Sequence, residues 1–144
     1  MAMRTLVTFE ATGFPDESQW TPNGSQLVPH GRSIASTIAG CLREAGLRVS
    51  DVEQHEYYGW CFDVLFPNAV EWCLLQYPGP WLLLVRERRP VLRRLLCRGG
   101  TGHLETTLRA IDRVLKEGGR FASVQWFAER AYDSGARQGA ESPL

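Results

Sequence analysis

Residues 3–9, MRTLVTF, combine β-branched and aromatic side chains and predict a strand. From residue 10 to residue 30 the apolar positions thin out among Gly13, Pro15, Pro22, Asn23, Gly24 and Pro29, which predicts a loop. A loop of about twenty residues is long for a compact domain, and such loops are often functional. The pattern then changes period. Ile34, Ile38, Cys41, Leu42 and Ala45 recur at helical spacing and predict a helix over 32–45. Ser33 is placed to cap its start, and Gly46 to end it in the left-handed conformation. Leu47, Val49 and Val52 among polar residues predict a half-buried strand over 47–54. Alternation follows over 57–66: Trp60, Phe62, Val64 and Phe66 share one face, Cys61, Asp63 and Leu65 the other. The turn signals Pro67-Asn68 and Pro78-Gly79-Pro80 bound a strand over 69–76 and introduce another over 81–87. The last of these, WLLLVRE, is nearly all apolar and is expected to be central. Pro90 opens a predicted short helix over 90–97, which Gly99, Gly100 and Gly102 interrupt. Leu104, Leu108, Ile111 and Leu115 predict a second long helix over 103–117, ended by Gly118-Gly119. Residues 121–127, FASVQWF, alternate as a last strand.

The order is strand, helix, several strands, helix, strand. It predicts an α+β fold: a mostly antiparallel sheet of about five to six strands, with two main helices packed on one face. Residues 1–132 read as a single domain. Beyond Tyr132 the small, polar composition predicts a flexible tail over 133–144.

Composition adds little to this picture. Of 144 residues, 44% are apolar and 22% charged, which argues for a globular chain and against a disordered one. No apolar run reaches the roughly 18 residues that a membrane helix needs. The first residues hold only a short apolar stretch, too short for a secretory signal core, so a cytoplasmic location is expected.

Charge layout says more. Residues 1–85 carry nine acids against four arginines, and residues 86–144 carry seven acids against twelve bases. The acidic part centres on DVEQHEYYGW, where Asp51, Glu53 and Glu56 are followed by Tyr57 and Tyr58. Alternating acids on an edge strand discourage aggregation, and they also steer a cationic partner. Tyrosines beside a turn can serve as binding anchors or as half-buried sheet residues. Trp60 reads as core. The basic part is RERRPVLRRLLCR, with Arg86, Arg88, Arg89, Arg93, Arg94 and Arg98. It can be a phosphate or nucleic-acid patch, or the solvated face of a helix whose leucines turn inward. The second is favoured, because no aromatic is interleaved with the arginines.

Candidate chemistry is sparse. The four cysteines Cys41, Cys61, Cys73 and Cys97 form no CxxC pair, and each lies in an apolar stretch, so reduced buried thiols are expected. His30, His55 and His103 form no ligand spacing with one another, and neither a metal nor a cofactor is expected. A Cys61–His55 nucleophile pair is conceivable, but spacing does not establish it. Asp63 would be notable only if its face of the strand were buried in a cleft. The run CRGGTGH could offer backbone amides to an anion, yet a flexible connector is the simpler reading.

Taken together, GRSIASTIAGCLREAGLRVS, YYGWCFDVLF, WLLLVRERRPVLRRLL and the closing FASVQWF resemble small bacterial α+β proteins that look like immunity proteins of polymorphic toxin systems. The resemblance spans most of residues 30–127. It rests on general features rather than a diagnostic motif, and no binding residue is carried over from it. It implies a non-enzymatic binding protein that occludes the active site of a cognate toxin. The residues expected to bind are Asp51, Glu53, Glu56, Tyr57 and Tyr58, with the 14–24 loop as second choice. The alternative is a regulatory or nucleic-acid-associated protein that uses Arg88, Arg89, Arg93, Arg94 and Arg98. A third class is a small enzyme with a site near Asp63, Cys61 or His55. Homodimerisation through a sheet edge is compatible with each.

Overall fold

A computed structural model describes residues 3–56, 58–77, 79–88 and 102–144. The chain is α+β. Strands β1 (Leu6–Ala11), β4 (Arg48–Val49), β5 (Glu53–His55), β6 (Gly59–Phe66), β7 (Ala69–Gln76), β8 (Trp81–Arg88) and β9 (Phe121–Phe127) form one seven-stranded antiparallel sheet. Its order is β4-β6-β7-β8-β1-β9, with β5 also paired to β6. β2 (Gln19–Trp20) and β3 (Gln26–Val28) form a separate small hairpin. Helices α1 (Arg32–Glu44) and α2 (Gly102–Lys116) are the two long ones, and α3 (Glu129–Asp133) is a single turn after β9. The predicted helix over 90–97 lies outside the described residues.

The two faces of the sheet follow from strand alternation. One row of paired residues crosses it as Gln54, Trp60, Leu75, Leu83, Val7 and Trp126; the five apolar members belong to the core against Ile34, Ile38 and Leu42 of α1 and Leu108, Ile111 and Leu115 of α2. Burying each such side chain contributes roughly 1.5–3 kcal/mol. The adjacent row points the other way as Glu53, Cys61, Leu74, Leu84, Leu6 and Phe127. On that open face Leu6, Leu82, Leu84 and Phe127 form a second, smaller cluster against Tyr132 and Ala136.

Several local expectations need revision. Ser33 does not cap α1: the cap position is Gly31, at φ 117°, with no side-chain cap bond, and the Ser33 hydroxyl donates to Glu17. Glycine is required at position 31 because a Cβ there would lie 2.8 Å from the Trp81 ring. Gly46 does end α1, at φ 96°; its amide donates to Arg43 and that of Leu47 to Leu42. The single strand expected over 47–54 is two strands. Between them the Ser50 amide donates to the Asp63 carbonyl, while the Ser50 hydroxyl accepts from the Asp63 amide and bulges the edge.

Residues 134–144 run back along the outer edge of β9, where composition predicts fraying. Trp126 and Ala140 exchange backbone hydrogen bonds of 2.8 Å each. The Arg4 amide donates to Pro143, the Gly139 amide to the Gln125 side chain, and Lys116 to the Glu141 carbonyl.

Candidate functional site

The segment between β1 and α1 closes one end of the sheet. At the β9 side Phe14 stacks on Phe121, with the Arg120 guanidinium 3.8 Å from the Phe14 ring. At the other side the Gln54 side-chain amide donates to the Leu27 carbonyl at 2.8 Å, and the Trp60 indole donates to the Pro29 carbonyl at 2.9 Å. The loop expected over 10–30 thus contains the β2–β3 hairpin and lies beside β5. Gln54 of the acidic segment thus contacts the hairpin whose other strand, β2, belongs to the 14–24 loop.

That end of the molecule gathers exposed apolar groups. Among the described residues the exposed large hydrophobics are Trp20, Leu27, Tyr58 and Tyr77. Trp20 and Leu27 belong to the hairpin. Tyr58 and Tyr77 sit in the β5–β6 and β7–β8 turns, which the Gly59–Gln76 pairing holds at the same end. Tyr77 packs on Trp81 at 4.4 Å, and His30 meets that ring edge-on at 4.7 Å. Glu56, in the β5–β6 turn, is exposed, and so is Asp16, 3.9 Å from His30; Asp51 and Glu53 are exposed as well. Hydrogen bonds from Ser18, and the His30 ring, hold the Asp16 carboxyl below the usual carboxylate range. Glu56 has a φ of 53°, a left-handed conformation uncommon outside glycine, asparagine and aspartate. Tyr57 lies outside the described residues.

Around the corner, on the open face of the sheet, two hollows adjoin. The first, about 230 Å³, is lined by Asp51, Glu53, Asp63, Cys61, Arg88 and Ser50, among others. The second, about 500 Å³, has Leu6, Leu74, Leu82 and Leu84 as its floor, with Tyr58 on one wall and Glu129 and Tyr132 of the α3 turn on the other. His55 and Trp72 line both. The His55 ring meets Trp72 edge-on at 5.3 Å and Tyr58 at the same distance. Gly59 makes room here, since a Cβ would fall 2.6 Å from the Leu75 carbonyl oxygen.

The third class of function finds a concave place. Asp63, Cys61 and His55 do share the first hollow. Burial, the foremost cause, pushes the Cys61 thiol up, whereas a catalytic thiolate needs the opposite shift. Among the described residues no hydrogen bond joins Cys61 to His55, and no group of three or more His, Cys, Asp or Glu side chains is placed to hold a metal ion.

The arginine segment is described only at its start. Arg86 is ion-paired with Glu129, and the Arg88 guanidinium lies 4.8 Å from the Trp72 ring. Arg89, Arg93, Arg94 and Arg98 lie outside the described residues. Sequence reasoning did not single out Trp72, because the parity that points it to the open face depends on the register of β7 against β6 and not on its own neighbours. It also passed over Glu71, which is fully buried on the helix side, directly across from Glu87. No helix among the described residues is long and apolar enough to cross a membrane. Comparison of the chain with protein families, with curated proteins and with solved structures gave no match.

Proposed function

We propose that this chain is a non-catalytic cytoplasmic binding protein, and specifically an immunity protein that neutralises a bacterial toxin domain by covering its active site. One observation supports the reading above the others. The hydrogen bond from Gln54 to Leu27 joins the acidic segment to the long loop; these two segments expose Trp20, Leu27 and Tyr58 together with Asp16, Asp51, Glu53 and Glu56, and Tyr77 is exposed in the β7–β8 turn. Exposed aromatics with acidic side chains in the same segments suit a protein partner that carries basic groups: the rings anchor it and the acids speed its approach.

Photo-crosslinking residues placed at Trp20 and Tyr77, with a control at Arg113 on α2, test this in cells that make the protein. A discrete adduct from positions 20 and 77 and none from 113 is expected. The captured partner, expressed alone, should arrest growth, and the wild-type chain should relieve the arrest while the Trp20→Ser/Tyr77→Ser variant does not. Equal adducts from all three positions overturn the surface. A partner that is harmless when expressed alone overturns the immunity reading.

A further inference from the structure

We infer that Asn23, at the exposed tip of the β2–β3 hairpin, is a site of spontaneous deamidation, which converts it to aspartate and isoaspartate and adds a carboxylate to the hairpin that carries Trp20. The inference is independent of the binding reading above and stands on the chemistry of the tip.

Residues Thr21-Pro22-Asn23-Gly24 form a tight turn, in which the Gly24 amide donates to the Thr21 carbonyl at 3.0 Å. Deamidation starts when the backbone nitrogen after an asparagine attacks that residue's own side-chain carbonyl. Here the Gly24 nitrogen loses its proton to water and bonds to the Asn23 Cγ atom. The Cγ–Nδ2 bond breaks, and the side-chain nitrogen takes up one proton and leaves as ammonia. Water then opens the five-membered imide at either carbonyl, giving aspartate or isoaspartate; nothing is oxidised or reduced. Glycine is the least obstructed residue for this attack, since it has no side chain beside the nucleophilic nitrogen. Its φ of 86° is one that few other residues adopt. Even the space a Cβ would take at Gly24 is open, with nothing within 4 Å. Asn23, Gly24 and Ser25 are all exposed, so water reaches the ring as it forms. The turn bond must open before the ring closes, and little resists it: the flanking strands have two and three residues, none of them fully buried.

The chain carries its own comparison. Its other asparagine, Asn68, is exposed too, in the tight turn between β6 and β7. There the next residue is Ala69, whose methyl group obstructs the attack, and Ala69 is buried and paired with Phe66. The Asn68 Oδ1 atom lies 2.9 Å from Nε2 of His103, and eight-residue strands on both sides hold the turn. Exposure is common to the two asparagines; an unobstructed nucleophile in a loosely held turn belongs to Asn23.

The test holds the folded full chain at pH 8 for several weeks and follows both asparagines by peptide mass spectrometry against synthetic aspartyl and isoaspartyl standards. Asn23 should be lost about tenfold faster than Asn68, or more, with aspartate and isoaspartate both appearing at position 23. Asn23→Gln, whose longer side chain has to close a six-membered ring, should stay unconverted at that position over the same period. Isoaspartate adds a methylene to the main chain, so NMR of the aged protein should show shifted amides over 21–25 and a shifted Trp20 indole, with β7 and β8 unchanged. The blocked pentapeptide Thr-Pro-Asn-Gly-Ser, aged alongside, reports the chemistry without the fold. Survival of Asn23 in the folded chain while the pentapeptide converts overturns the inference, and so does equal loss of Asn23 and Asn68.

Discussion

At the scale of single residues, the environment of each thiol decides what it can do. Cys61 lies half-buried on the open face and Cys73 is fully buried beside Glu71; burial raises both thiols. A group whose protonated form is favoured by the fold stabilises it below its unfolded pKa, about 8.5 for a thiol, and that contribution is lost as pH rises beyond it. The protein should therefore lose stability on the alkaline side, with Cys73→Ala flattening that slope. Iodoacetamide at pH 8, read by peptide mass spectrometry, should modify Cys61 more slowly than free glutathione and leave Cys73 untouched in the native state. Faster labelling of Cys61 would mark it as an activated thiol instead. Much at this scale was legible in the sequence. Alternation alone places Trp60, Phe62 and Val64 inward, and all three are buried. Glu71 was not, because nothing within AVEWCLLQ marks which face its partner strands will turn to the helices.

Whole elements were legible where their signal is local. The two long helices and the β6–β8 meander announce themselves through periodicity and turn residues, and the last strand is found at 121–127 as expected. The β2–β3 hairpin escaped notice for a physical reason. It has two short strands, few buried side chains and no hydrophobic period, and what ties it to the sheet, besides Val28 on the core, is an amide some thirty residues away at Gln54. That amide also donates to the Glu56 carbonyl at 2.6 Å, so a single side chain bridges the hairpin and the β5–β6 turn. Replacing Gln54 by Ala should cost about 1–2 kcal/mol for the two bonds. Hydrogen exchange should show the consequence in one place: amides over 19–28 exchange several-fold faster, while those of β7 and β8 hold their protection. Uniform acceleration across the sheet would mean that the hairpin is not an independent unit.

For the molecule as a whole, sheet order matters more than element count. Seven strands stand where five to six were expected, because the bulge at Ser50 divides one edge strand in two. The far edge, β9, is closed near its end by the returning residues 134–144. Exposed strand edges invite pairing with another chain, and this return blunts one of them. Truncation after Asp133 should lower stability by about 2 kcal/mol, from the lost backbone and side-chain bonds. It should also promote concentration-dependent association, which light scattering would detect. A truncated chain as stable and monomeric as the full one would make the return decorative.

The place of β1 has a kinetic consequence. The strand begins at Leu6, yet its partners are Leu84 on one side and Phe127 on the other. During synthesis at ~5–20 residues per second, β1 waits several seconds for its first neighbour and longer for its second. Closing such distant pairs is slow, since chain entropy is lost before any contact rewards it. The β6–β8 hairpins can assemble beforehand, so the growing chain passes through a stage in which a finished meander coexists with an unclaimed greasy ribbon, LVTF. Only when β9 arrives does β1 become an interior strand of the sheet.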